Sequence, residues 1–347
     1  MNKNTGLIPK HVMDAMLSGG NAFMAKAYDA ATASSMAYLV GELEKRDPKV
    51  REPLTSITYP RDIVIKSGGG FVDWTSVMHV DYGTSGPNNF GIMGGASNAI
   101  PMMQADIGKD IYPVFPWMNA LRIPWFDMQK AQQVGRSLDD LLNTGVKLNW
   151  NKALDLMTYM GFASGVGNNT GGLVNNTLIT AVLAAAGASG KTTWANKTPQ
   201  EIQADINYIL NSTWAASQYD LTGMADSILV SPAAYGILTA PMTIAGCNSI
   251  LEYVLANNVA KQQGREINIL PSRWCIGAGE VVGGAATDRM VGYVNDEDRV
   301  YLDIPVPIMR AMTMPDAKDG AFYTLYAGQV GVVKFLYKEP AIYVDGI

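Results

Sequence analysis

The residues best placed to do chemistry lie at 185–192, where the chain reads Ala-Ala-Gly-Ala-Ser-Gly-Lys-Thr. This segment follows the phosphate-binding loop pattern GxxxxGK(S/T) except at its first position, which is Ala185. The missing glycine normally gives such a loop the conformation that turns its amides towards phosphate, and no helix start follows Thr192. The segment therefore predicts a surface turn. A nucleotide-binding enzyme built around Gly190, Lys191 and Thr192 is the alternative.

The histidines and cysteines form no recognisable catalytic or metal-binding pattern. The chain has two of each, His11 and His79, Cys247 and Cys275. His79 and Asp81 are near neighbours, but the glycine-rich residues around them supply no further metal ligand. The cysteines lie far apart without a CxxC pair, so neither a zinc site nor a disulfide framework is predicted. HExxH and GxSxG are absent, which leaves structural or surface histidines as the better interpretation.

Paired carboxylates are the remaining candidates for acid–base or calcium chemistry. Asp139 and Asp140 occupy adjacent positions of a predicted helix and point in different directions. Asp296 and Asp298 lie in a turn sequence, where aspartate is a common turn former, and the EF-hand spacing is not met. Both pairs are interpreted as structural. We therefore assign no catalytic, cofactor-binding or metal-binding residue and predict that the chain is not an enzyme.

The chain carries few charges for its length of 347 residues. Charged residues make up 16% and hydrophobic residues 48%, against about 25% charged residues in an ordinary soluble protein. Because interface cores are poor in charge, this composition predicts extensive contacts between subunits. A monomer with a neutral polar surface is the alternative. The nineteen methionines fall in apolar segments and are interpreted as core filling.

Charge and hydropathy also limit the partners. The net charge is −5 and no basic stripe is visible, which predicts only weak, non-specific contact with nucleic acid. The first residues show no secretory pattern, and the longest apolar run, 178–188, is about half of the roughly 20 residues that a membrane span requires. We expect a soluble protein made in a reducing, intracellular compartment, without a membrane partner.

The first third of the chain predicts extended structure. An N-terminal arm holds one helical segment at 22–38. Residues 61–115 are rich in Gly, Asn, Pro and Ser, with β-forming residues at 71–77 and 111–117 and a dense turn signal at 83–89. A segment this long with so little to pack predicts a projecting hairpin that finds its contacts on a neighbouring subunit.

The rest of the chain predicts an α+β fold. A long amphipathic helix is predicted over 125–163, weakened locally at Gly135 and Gly145. Capping boxes at 198–201 and 249–252 begin two further helices, and Gly264 is expected to end the second. Strands are predicted at 227–230, 267–270, 274–276, 290–294, 300–304 and within 321–344.

Six residue patterns then follow one another in a fixed order. They are 106–114 (Asp-Ile-Gly-Lys-Asp-Ile-Tyr-Pro-Val), 117–125 (Trp-Met-Asn-Ala-Leu-Arg-Ile-Pro-Trp), 132–139, the Gly-Leu-Val-Asn-Asn turn at 172–176, the strand-to-helix entry at 227–235 and the closing 337–347. Their order and spacing resemble those of tailed-bacteriophage major capsid proteins, whose fold encapsulin shells share. The resemblance covers residues 100–180 and 226–347; the first hundred residues match in character only.

This resemblance implies the Hong Kong phage-type capsid fold. An N-terminal arm would occupy residues 1–60, and an extended hairpin loop (the E-loop) with its strands residues 61–124. A spine helix and peripheral domain would follow at 125–175, and an axial domain at 176–305. Residues 306–347 would supply C-terminal strands that return to the peripheral and axial sheets.

The implied function is that of a major capsid protein. It self-assembles into hexamers and pentamers of an icosahedral shell that encloses double-stranded DNA, after assembly in the host cytoplasm. The expected partners are a separate scaffolding protein, a portal and a decoration protein; the resemblance brings no catalytic site, cofactor or metal. Alternatives are an encapsulin-type compartment, a tail or baseplate structural protein, and the nucleotide-binding enzyme around Lys191.

Overall fold

The computed structural model of the chain describes residues 53–85, 102–133, 138–162, 170–242, 249–282 and 285–347. Contacts divide the chain into two units, Met1–Thr55 and Ser56–Ile347, and the second contains the helices and strands that follow. The helix predicted at 22–38, His11, Cys247, Gly135 and most of the turn predicted at 83–89 lie outside the described residues.

Helices occupy the middle of the described chain. The α-helices are α1 (Tyr59–Asp62), α2 (Trp125–Gln133), α3 (Leu138–Met160), α4 (Pro199–Ala216), α5 (Pro232–Leu238), α6 (Ile250–Ala256) and α7 (Val259–Gln262). Short 3-10 helices lie at Trp194–Asn196, Leu221–Gly223 and Arg273–Cys275. No helix in these described ranges is both long enough and apolar enough to cross a membrane.

Strands lie on both sides of the helical region in sequence. Those before and within it are β1 (Val64–Ser67), β2 (Trp74–Ser85), β3 (Met102–Pro113), β4 (Phe115–Pro124), β5 (Ala181–Leu183), β6 (Ser227–Val230) and β7 (Asn268–Pro271). Those after it are β8 (Val281–Val282), β9 (Ala285–Ala286), β10 (Arg289–Tyr293), β11 (Val300–Ile304), β12 (Val306–Asp316), β13 (Ala321–Val330), β14 (Val333–Phe335) and β15 (Ile342–Asp345).

A mixed five-stranded sheet, in the order β5-β15-β10-β6-β7, forms the centre of the body. Side chains alternate between its two faces. On one face Ile228 and Val344 pack with the buried residues of α4, α5 and α6. On the other face Val291 and Tyr343 join the core that α3 closes. Both faces of the inner strands β15, β10 and β6 are therefore largely buried, as expected for strands that are apolar along most of their length.

Two three-stranded sheets complete the body. The order β1-β11-β14 lies beside the core that α3 closes, and the order β12-β13-β4 forms the second sheet. One face of that second sheet packs against α3 through a cluster of Leu121, Ile123, Val146 and Tyr326. Of the spine helix predicted over 125–163, α2 covers Trp125–Gln133 and α3 covers Leu138–Met160. The helix α3 is amphipathic and buries one side against both cores.

A buried carboxylate joins α1 to α3. Asp155 of α3 is fully buried and accepts hydrogen bonds from the backbone amides of Thr58 (2.8 Å) and Tyr59 (3.1 Å) at the start of α1. Its second oxygen accepts from the guanidinium of Arg273 (3.0 Å) and from Nε1 of Trp274 (2.9 Å). One side chain therefore satisfies two free amides of a helix start and holds the 3-10 helix Arg273–Cys275.

Several local predictions are confirmed and two need correction. Thr198 and Glu201 form the predicted capping box of α4, and Gly145 lies inside α3 without ending it. The strand predicted at 274–276 is wrong, because Arg273–Cys275 forms a 3-10 helix whose Trp274 is bound by Asp155. The helix predicted to run from 249 to Gly264 is divided into α6 and α7, since the side chain of Asn258 caps a new helix start.

Candidate assembly surfaces

The segment 185–192, which has the phosphate-binding loop pattern, forms a turn that is bound by a carboxylate of the same chain, that of Glu201. The amide of Ala188 donates to Oε1 of Glu201 (2.7 Å), and the other oxygen of Glu201 accepts from the amide of Thr198 (2.7 Å). These backbone hydrogen bonds lower the pKa of the Glu201 carboxyl below its ordinary value. After the turn, Trp194 is buried in a 3-10 helix where a phosphate-binding loop would begin its helix. The segment is a surface turn, as the sequence predicts.

The other chemistry-bearing residues are dispersed. His79 lies on the strand β2, with Nδ1 3.5 Å from Oδ2 of Asp110. Asp139 lies 3.7 Å from Arg310, and Asp296 accepts from the amide of Asp298 in a turn. Burial raises the pKa of the Cys275 thiol to about 12. Within the described residues, no group of three or more His, Cys, Asp or Glu side chains is arranged to hold a metal ion.

An exposed apolar surface lies on the ribbon of β2 and β3, called the hairpin from here on. The two strands pair antiparallel along their full length, from Trp74 opposite Pro113 to Ser85 opposite Met102. Alternate residues share one face, which we call the apolar face of the hairpin. Its exposed members are Trp74, Met78, Val80, Tyr82, Met103, Ile107 and Ile111. A monomer rarely leaves so continuous an apolar surface uncovered.

The opposite face of the hairpin is polar and acidic. His79 lies opposite Gly108, and Asp81 lies directly opposite Asp106. Like charges opposite each other weaken strand pairing, and a ribbon of two strands is at best marginally stable in water. The polar face therefore contributes little to the stability of the hairpin. Covering the apolar face is the interaction that can stabilise it.

A second exposed apolar surface lies on the sheet β12-β13-β4, on the face turned away from α3. Cross-strand register places Met118 and Met309 on either side of Ala327, and Met312 opposite Leu325. Met314 follows at the next position and is 60% exposed. We call the four methionines 118, 309, 312 and 314 the methionine face. Methionine is flexible and polarizable, so such a surface can fit an apolar partner closely.

The methionine face was not predicted from the sequence. Interpreting the methionines as core filling is wrong for these four and for Met78, Met102 and Met103, all of which are exposed. The sequence does contain a signal, because Met312 and Met314 alternate with Thr313 at the spacing of one strand face. Composition alone cannot tell whether that face looks towards the core or towards solvent.

The comparison with protein families decides what these surfaces belong to. The family model described as major capsid protein matches residues 89–347, which is well over half of the chain. The chain belongs to the major capsid protein family. It is accordingly a subunit of a virion capsid shell, as the sequence patterns at 106–114 and 117–125 predict.

Solved capsids share the fold of this major capsid protein. The capsid of Myoviridae phage XM1 has a TM-score of 0.71 at 16% identity, covering 88% of this chain and 97% of that one. The capsid of a native GTA particle has a TM-score of 0.58 at 12% identity, with coverages of 87% and 94%. Mycobacterium phage Ogopogo has a TM-score of 0.52 at 12% identity, with coverages of 87% and 96%. Among curated proteins nothing matches.

These likenesses confirm the predicted fold class. At such low identities they establish the fold and leave individual contacts to be argued from this chain. The hairpin predicted over 61–115 is present as β2 and β3, and the spine helix as α2 and α3. The sequence does not predict the division of the hairpin into two unlike faces or the methionine face of the sheet β12-β13-β4.

Proposed function

We propose that this capsid protein assembles, through contacts between identical copies, into hexamers and pentamers of an icosahedral shell that encloses double-stranded DNA. The observation that carries the proposal is the hairpin, whose apolar face from Trp74 to Tyr82 is exposed, whereas the strands β6 and β15 of the body are buried along their whole length. A protein that pairs two 12-residue strands and leaves them uncovered needs a partner surface. A second copy supplies one in every particle.

We propose that the hairpin packs on the methionine face of a neighbouring copy. Both surfaces are sheet faces, both are mainly apolar, and each carries one basic side chain, Lys109 opposite Met78 on the hairpin and Arg122 on the sheet. Hairpin and methionine face lie at different places on the subunit, so the contact is heterologous. A heterologous contact repeated by rotation closes into a ring, which is what a hexamer or pentamer requires.

The proposed domain boundaries place the hairpin in a segment separate from the helix α3 and from the five-stranded sheet. We assign 61–124 to the E-loop and its strands, 125–175 to the spine helix and peripheral domain, and 176–305 to the axial domain. The pairing of β12 and β13 with β4, and of β15 with β5 and β10, supports a return of residues 306–347 to both sheets. Residues 1–60 are assigned to the arm.

The proposal also covers the partner proteins and the compartment in which the shell assembles. We propose assembly in the host cytoplasm with a separate scaffolding protein, a portal and a decoration protein. DNA would touch the shell weakly and non-specifically, because the chain has a net charge of −5. No catalytic step is proposed, since Glu201 fills the turn at Ala188 that nucleotide chemistry would need.

Size-exclusion chromatography followed by negative-stain electron microscopy of the purified protein tests the proposal. Closed polyhedral particles or flat hexagonal sheets are expected. Packaged or co-purifying nucleic acid would support a genome shell, and a protein cargo would support the encapsulin alternative. Rings or tubes would point to a tail protein. A monomer under every salt condition tried would contradict the shell.

A further inference from the structure

The two strands of the hairpin leave the body in different ways. The outgoing strand β3 is separated from β4 of the body by Val114 alone. Val114 is buried, and Phe115 stacks on Phe162 with ring centroids 3.9 Å apart. On this side the hairpin therefore continues directly into a packed sheet.

The incoming strand enters through three glycines. After β1 ends at Ser67, Gly68, Gly69 and Gly70 have φ values of +122°, +111° and +74°. Space around each of them is open, so close packing does not explain the absence of side chains. Backbone conformation does explain it, because these φ values are strained for any residue with a Cβ. On this side the hairpin is joined to the body by a segment with wide torsional freedom.

Gln329 holds the incoming strand just beyond those glycines. Its Oε1 accepts from the amide of Val72 (3.0 Å), and its Nε2 donates to the carbonyl of Val72 (3.1 Å). A primary amide offers the same donor and acceptor as a peptide group, so this side chain acts as a one-residue bridge between strands. Gln329 is buried on the central strand β13 of the sheet that carries the methionine face.

A second contact holds the outgoing strand. The ammonium of Lys334 lies 5.3 Å from the ring centroid of Tyr112, at the end of β3, and is paired with Asp303 at 2.5 Å. Both members of the ion pair are buried, so the cation–π contact is shielded from water. The outgoing strand thus has core packing and Lys334. The incoming segment has Gln329 and two longer backbone bonds, from the amide of Gly68 to the carbonyl of Ile304 (3.4 Å) and from the amide of Val114 to the carbonyl of Asp73 (3.3 Å).

We propose that Gln329 is a positioning residue that sets the angle of the hairpin to the body, with Gly68–Gly70 as the pivot. The inference rests on the proposed shell function. A strand of 12 residues is about 40 Å long at about 3.3 Å per residue. A rotation of about 10° at the root moves its end by about 7 Å. Gln329 therefore determines where the apolar face meets a neighbour, and through that the curvature of the shell.

Gln329→Leu tests this role, with Gln203→Leu as the control because Gln203 also donates to a backbone carbonyl, that of Asn257, but lies on α4. Residue-resolved hydrogen exchange should show the Val72 amide exchanging about tenfold faster or more in Gln329→Leu, with the strands β6 and β10 unchanged. Electron microscopy should show particle diameters spread more widely than in the wild type. Gln203→Leu should leave both measurements unchanged.

The outcomes separate this inference from the proposed function. Wild-type protein that forms no particles would contradict the proposed shell function. Particles of wild-type diameter from Gln329→Leu would overturn the positioning role, whether or not the Val72 amide exchanges faster. If Gln329→Leu does not fold, Gln329→Glu is measured instead, since it keeps the acceptor for the Val72 amide and replaces the donor by an oxygen that repels the Val72 carbonyl. Diameters broader than wild type support the role there, and wild-type diameters overturn it.

Discussion

The hairpin and the five-stranded sheet contain strands of the same chain with opposite relations to water. Every residue of β6 and β15 is buried, and their side chains have partners on both faces of the sheet. In the hairpin the apolar side chains from Trp74 to Tyr82 are exposed, and the polar face adds a repulsive pair, Asp81 and Asp106. The sheet completes its packing within one subunit, whereas the hairpin completes it only against another molecule.

That difference separates stability from assembly. Burial of apolar surface contributes about 25 cal/mol per Å² wherever it occurs, but only the body gains it when a single chain folds. The hairpin gains this stabilisation only when two copies associate and bury its apolar face. Substitutions in the two regions should therefore give different phenotypes, and measurements on the unassembled subunit and on the particle tell them apart.

The largest effect is expected on the apolar face of the hairpin. Val80→Lys places a charge at its centre, opposite Ile107, where a neighbouring copy would have to bury it. We expect loss of particles in electron microscopy with an unchanged melting temperature of the subunit. Gln104→Lys is the matched control, because Gln104 lies on the polar face of the same ribbon. Normal particles from Val80→Lys would show that this face is not an assembly surface.

The next largest effect is expected in the body, at Asp155. Asp155→Ala leaves the amides of Thr58 and Tyr59 and the Nε1 of Trp274 without their acceptor. Removing one partner of a buried charged network costs about 3–5 kcal/mol of unfolding free energy. Urea denaturation of the unassembled subunit measures it. Asn149→Ala, at an exposed position of the same helix, should change stability by no more than about 0.5 kcal/mol. A loss at Asp155 no greater than the control's would contradict the capping role.

A smaller effect should appear as pH dependence at Glu201. Its pKa is lowered in the folded protein, so its contribution to stability is present above the ordinary carboxyl pKa and disappears as pH falls through the lowered value. The unfolding free energy of Glu201→Gln should therefore approach that of the wild type as pH drops from about 7 to about 3. Parallel curves for the two proteins across that range would show that the carboxylate does not hold the turn at Ala188.

The smallest effect is expected at Lys191. Lys191→Ala removes the residue that a phosphate-binding loop could not lack, yet the turn around it is held by Glu201. Particle yield and subunit stability should both match the wild type within error. If the wild type hydrolyses nucleotide and Lys191→Ala does not, the result would support the nucleotide-binding enzyme instead.

The sequence predicts these two regions unequally, for physical reasons. Helix starts such as Thr198 and Ser249 depend on neighbours three residues away and are confirmed. Trp274 was misassigned to a strand because its partner, Asp155, is distant in sequence. The presence of a hairpin followed from a glycine-rich segment with too little to pack. Its apolar face and the exposure of Met312 depend on register and on a sheet face, which only the folded chain defines.

The place of β15 in the central sheet has a consequence for synthesis. Ile342–Asp345 lies between β5 and β10, and all four residues are buried. A chain still attached to the ribosome cannot close this sheet until β15 has emerged, although the hairpin has been translated long before. The body that holds the hairpin is therefore incomplete until β15 has been added to the sheet. A chain without β15 therefore cannot complete the five-stranded sheet, because β5 and β10 would have no strand between them.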